Sequence, residues 1–123
     1  MWKISIILMA FTLATPAIGS ELWCKALKKA NSETDYTPDY IEKQQFGLFI
    51  RNYSSGATIS RCSKDFQGKL SCDEYEVDHI AKSRNGNEMY YYFRGHLSVL
   101  LTPSLTFVEN ASGTVAWGKC WRQ

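Results

Sequence analysis

The chain has 123 residues, 45% hydrophobic and 14% aromatic, which fits one folded domain and excludes a disordered or low-complexity chain. Its 14 Lys and Arg stand against 12 Asp and Glu, with no basic block, so the charge pattern gives no electrostatic case for nucleic acid.

Met1-Trp2-Lys3 is a short positive start and Ile4 to Ala14 a compact apolar run. Ala17-Ile18-Gly19 then places small residues where a signal peptidase reads. The run is shorter than the roughly 20 residues of a membrane span. Residues 1–20 are therefore read as a cleaved signal peptide, with cleavage near Gly19 or Ser20, and residues 21–123 as one periplasmic or secreted domain. Losing Lys3 brings basic and acidic side chains within one of each other. Trp23 before Cys24 argues against a lipid anchor, because a lipoprotein needs a small residue there. No basic amphipathic helix follows to bind a membrane surface.

An oxidising space lets Cys24, Cys62, Cys72 and Cys120 pair, and four cysteines allow three connectivities. We favour Cys62–Cys72, which flanks a turn containing Gly68, and Cys24–Cys120, which ties the first strand to the last. Neither pair has the spacing of a zinc site. The segment from Glu21 to Glu42 is ambiguous. Trp23, Ala26, Leu27 and Ala30 fit a helical stripe, but a strand clamped by the long disulfide fits equally and is preferred, with Asn31 to Asp39 as a polar loop.

From Gln45 onward short β runs alternate with turns. Phe46 to Arg51, Ala57 to Cys62 and Leu70 to Val77 are the first three. Asn85-Gly86 is the pattern of a type I′ hairpin turn, and Glu88 to Phe93 follows, with Met89, Tyr91 and Phe93 expected on the core face. His96 to Leu101, Ser104 to Glu109 and Thr114 to Trp121 complete the series. The expected fold is all-β: an antiparallel up-and-down meander of about seven or eight short strands with two disulfides, closing into a small barrel or strongly twisted sheet. Phe46, Tyr91, Phe93, Phe107 and Trp117 are expected to fill its interior.

Ser104 to Glu109 with Gly113 and Gly118-Lys119-Cys120 resembles the tail of a group of small exported proteobacterial proteins of uncharacterised function. Cys62, Cys72, Tyr75 to Asp78 and Tyr91 to Phe93 are similar to the middle of the same group. The resemblance implies a fold and an exported bacterial origin, and carries over no activity and no catalytic residue.

Chemistry-bearing patterns are sparse. His79 and His96 are the two imidazoles, no nucleophile elbow is present, and paired cysteines offer no thiolate. The chain is read as a non-enzyme, without cofactor or metal. Glu74, Glu76 and Asp78 form an acidic stripe on one strand face, unsuited to calcium because a straight strand does not wrap an ion. Tyr90 and Tyr92, beside Arg94, are expected to face outward and, with the stripe, to form a candidate binding surface. Asn52 and Asn110 head glycosylation triplets that matter only in a eukaryotic source. The expected function is a monomeric, non-catalytic module that binds a protein or envelope partner; a small-ligand barrel is the alternative. Inhibition of a lysozyme is a further one, suggested by Ser55-Gly56 and Ser112-Gly113.

Overall fold

A computed structural model describes residues 18–123. The expected signal peptide lies outside them, except for Ile18 to Ser20, which open the first strand. Nine antiparallel strands form one curled half-barrel sheet. They are β1 (Ile18–Ala30), β2 (Gly47–Tyr53), β3 (Gly56–Lys64), β4 (Leu70–Glu76), β5 (His79–Lys82), β6 (Glu88–Tyr92), β7 (Leu97–Leu101), β8 (Thr106–Ala111) and β9 (Thr114–Arg122). A short helix, α1 (Pro38–Gln44), lies between β1 and β2.

The spatial order is β4-β3-β2-β1-β9-β8-β7-β6-β5, so first and last strands pair at the centre. The two edges, β4 and β5, are consecutive in the chain and separated only by Val77 and Asp78. Val77 N–H donates to Ala57 O and Asp78 N–H to Tyr91 O, handing the chain from one edge to the other. The Tyr75 and Tyr92 rings meet across that seam, 4.8 Å apart. The meander thus has nine strands because the segment 70–82 is broken at its middle.

Both favoured disulfides are present. Cys24–Cys120 joins paired residues of β1 and β9 and spans 96 residues; Cys62–Cys72 joins β3 to β4 across 10. Chain entropy assigns the long loop about 4.7 kcal/mol and the short one a little under 3.

The ambiguous first segment is a strand. Leu22, Cys24 and Ala26 point into the core, and a bulge then shifts the register between Ala26 and Lys28. Gly118 faces that bulge so closely that an added Cβ would stand 1.8 Å from the Lys25 carbonyl oxygen. The polar loop proves shorter than expected, because Thr37 caps α1, accepting from Tyr40 N–H at 3.2 Å, with Pro38 at the first helical turn. Ile41 buries the helix against the sheet.

The aromatic strand β6 is turned over relative to expectation. Tyr90, not Tyr91, is fully buried, and Phe93 is 60% exposed. Tyr90 pairs in register with Val99 and Ile80, so its face is the core face. Glu88 shares that face because its carboxylate accepts the Tyr90 hydroxyl at 2.6 Å. Phe93 has already left the strand in a 3₁₀ turn, Phe93–Gly95. Trp117, also expected inside, is 38% exposed on the outer face, where Lys28 lies over its ring. The Asn85-Gly86 hairpin forms, but only Gly86 takes a positive φ; Ser83 N–H donates to Asn87 O, closing a longer loop than a two-residue turn.

Candidate functional site

The concave face is not uniformly apolar. Arg61 continues the inward face of β3 two residues beyond Ile59, and Glu109 continues that of β8 two residues beyond Phe107. The two side chains meet across the hollow of the curl. Arg61 Nε donates to Glu109 Oε2 at 3.0 Å and Nη2 to Oε1 at 3.2 Å, a bidentate pair. Three strands (β2, β1 and β9) separate β3 from β8 in the sheet, so this contact exists only because the sheet curls.

Lys29 is the third charged residue there. Counting by twos from Leu22, Lys28 should face the core and Lys29 the solvent. The bulge between Ala26 and Lys28 reverses this and aims Lys29 inward, opposite Ala116. Lys29 is 9% exposed and Glu109 4%. The Lys29 ammonium sits 3.7 Å from the Phe46 ring centre and 5.6 Å from that of Tyr36. Those rings belong to an aromatic group completed by Tyr40, held over this end of the sheet by α1.

Burial acts on these charges unequally. It pushes the Lys29 ammonium below its ordinary value, with Glu109 pulling back up and Arg61 adding to the fall. Burial opposes the Arg61 charge too, but hydrogen bonding and charge from Glu109, with smaller contributions from Tyr75, outweigh it, so that guanidinium is raised.

These groups line an open pocket of about 290 Å³. Ala26, Leu48, Phe107 and Ala116 form its apolar floor; Asp65 and Asp73 stand at its mouth. A smaller hollow of about 90 Å³ lies near Tyr90 and Glu88 at the opposite end. There the Tyr90 hydroxyl touches both Glu88 and Asn52, at 2.6 and 3.2 Å, and burial raises its phenol above the ordinary value.

The expected binding surface is not assembled as one patch. Tyr90 is core, and Tyr92 packs on Tyr75 at the seam. Glu74 pairs with Arg51 at 3.4 Å, Glu76 is exposed, and Asp78 has left the strand to accept the Phe93 N–H at 2.8 Å. Arg94 lies exposed in the 3₁₀ turn. What the outer face carries instead is a stacked row of His79, Tyr91 and Phe93, with centres 6.0 and 5.7 Å apart.

Among the described residues no group of three or more His, Cys, Asp or Glu is placed to hold a metal ion. No helix of the described residues is long and apolar enough to cross a membrane. No protein-family model, curated protein or solved structure matches the chain.

Proposed function

We propose that this chain is an exported binding domain that holds a small molecule in the pocket between the β3–β4 hairpin and the β1–β9 centre of the sheet. The observation that carries this reading is the change in character along the concave face. Where a filled core would continue, the strands place two cations and a carboxylate around open space. A pocket near 300 Å³ lies at the small end of ligand sites, which combine an apolar lining with a few placed polar groups.

Recognition fits the lining better than turnover. His79 is on the outer face and His96 is an exposed residue after the 3₁₀ turn; neither lines the pocket, and the Cys62 that does is in a disulfide. The two disulfides suit an extracytoplasmic space.

The test is a nuclear magnetic resonance fragment screen on the oxidised protein, repeated on Ser63→Trp, whose indole would occupy the pocket. Hits that shift Leu48 and Phe107 amides and vanish in Ser63→Trp are expected. Hits unaffected by the substitution would contradict the reading.

A second reading, a protein or envelope partner, is favoured by the exposed His79–Tyr91–Phe93 row. Loss of a partner from a periplasmic pull-down on Phe93→Ala, with no loss on Ser63→Trp, would select it.

A further inference from the structure

We infer that the pocket takes a small zwitterion of amino-acid size, its carboxylate held by Lys29 and Arg61 and its ammonium at the mouth beside Asp73. This rests on the pocket being a ligand site and adds the chemical class of the ligand.

Lys29 carries the inference. An ammonium has three donors and no acceptor. The Lys29 side chain makes no hydrogen bond or ion pair with any described residue, although it is nine-tenths buried. The Phe46 ring covers one side of it and offers only a π face. Thr58 Oγ1 is the one buried side-chain N or O atom among the described residues without a partner, so the Lys29 ammonium is not sealed in; it faces the open pocket, and its donors are free for an acceptor supplied from outside the fold.

The charges around Lys29 give the acceptor its sign. Two cations share one buried carboxylate, since Glu109 is engaged at both oxygens by Arg61. That leaves Lys29 as the pocket cation with no carboxylate paired to it among the described residues. Arg61 has five N–H donors and gives two groups to Glu109, so its fork can contribute beside Lys29. Together they make a site for one carboxylate.

Two further carboxylates line the pocket, Asp65 and Asp73. Asp65 is committed to its own turn, where Oδ1 accepts from Gln67 N–H at 2.9 Å and Lys69 N–H at 3.0 Å. Asp73 is exposed, pairs in register with Arg61, and makes no ion pair among the described residues. A dianion would meet repulsion from these carboxylates. A ligand that carries both a carboxylate and an ammonium meets both unpaired charges, the carboxylate at Lys29 and the ammonium at Asp73. Leu48 and Phe107 leave an apolar wall for a side chain.

The experiment titrates the oxidised protein with each common protein amino acid, followed by nuclear magnetic resonance. Every binder is then compared with its carboxamide and with its deaminated acid. At least one amino acid should bind with Kd below about 1 mM, and each analogue at least tenfold more weakly. Lys29→Met should abolish binding at an undiminished melting temperature, and Lys29→Arg should retain part of it. Asp73→Asn, a surface change that leaves the fold alone, should weaken the amino acid and not the deaminated acid. A carboxamide binding as tightly as its parent, or a deaminated acid doing so, would overturn the zwitterion while leaving the pocket a ligand site. Absence of binding by every amino acid, with fragment hits still mapping to the pocket, would also overturn it; absence of both would sink the broader reading too.

Discussion

The two ends of the concave face are built by the same strands and differ in kind. At one end Ile50, Ile59, Val99 and Tyr90 are wholly buried, and the one phenol there is answered by Glu88 and Asn52. At the other, Arg61 follows Ile59 by two residues on β3, Glu109 follows Phe107 of the pocket floor by two on β8, and Lys29 is left without an acceptor. Strand alternation decides which way each residue faces; it does not decide whether the space it faces is filled. The closed end is a core, and the open end has the chemistry of a site.

Large-to-small substitutions separate the two most strongly. Ile59→Ala leaves a sealed void and should cost about 4 kcal/mol. Leu48→Ala, on the pocket floor, opens onto space that water already reaches and should cost nearer 2. Urea midpoints on the two variants check this, and equal losses would mean that the open end is packed like the closed one.

Next in size is the charge pair. Glu109→Gln strands Arg61 and Lys29 beside each other. It should destabilise the fold by about 3 kcal/mol, the low end for a broken buried pair because the Arg61 side chain keeps 34% of its surface exposed. Adding Lys29→Met to Glu109→Gln should restore part of the loss. Additive costs would show that the two residues do not sense each other.

Alkaline pH should move the ends in opposite directions. Burial lowers the Lys29 ammonium below its ordinary 10.5, so between that lowered value and 10.5 the unfolded chain binds more protons than the folded one. Its contribution to stability therefore improves as pH rises through that window. Burial raises the Tyr90 phenol above its ordinary 10.0, so the folded chain keeps a proton that the unfolded chain releases. That contribution is intact below 10.0 and is lost as pH rises past it. Relative to the parent protein, Lys29→Met should steepen the alkaline loss of stability and Tyr90→Phe should lessen it. Stability curves from about pH 8 to about pH 11 read both, and a change of the same sign in the two variants would contradict the assignment.

Much of the scaffold could be read from the residues. Turn chemistry and alternating apolar positions gave the meander, and the placing of Cys24 near the first strand and Cys120 near the last gave the long clamp. The Thr37-Pro38-Asp39 start of α1 was also present in the sequence as a helix-opening pattern, but lay hidden inside a stretch that reads as polar loop. The site was half legible. Taking Phe107 as inward already places Glu109 inward, and the same count carries Ile59 to Arg61. Charged residues on a core face read as solvent-facing until a partner is known, and that partner sits across the curl with three strands between. Lys29 was not legible, because the β1 bulge inverts the count just before it. Tyr90 was misplaced for a related reason: Glu88 made its face look polar, when that carboxylate is there to receive the phenol.

The most direct test of the difference between the ends is an amide chemical-shift map of the oxidised protein, recorded as the best-binding amino acid is added. Shifts gathered on Lys29, Phe46, Leu48, Arg61 and Glu109, with Ile50 and Tyr90 unmoved, are the predicted result. Shifts centred on Tyr90 and Asn52, or on Tyr91 and Phe93 of the outer face, would contradict it.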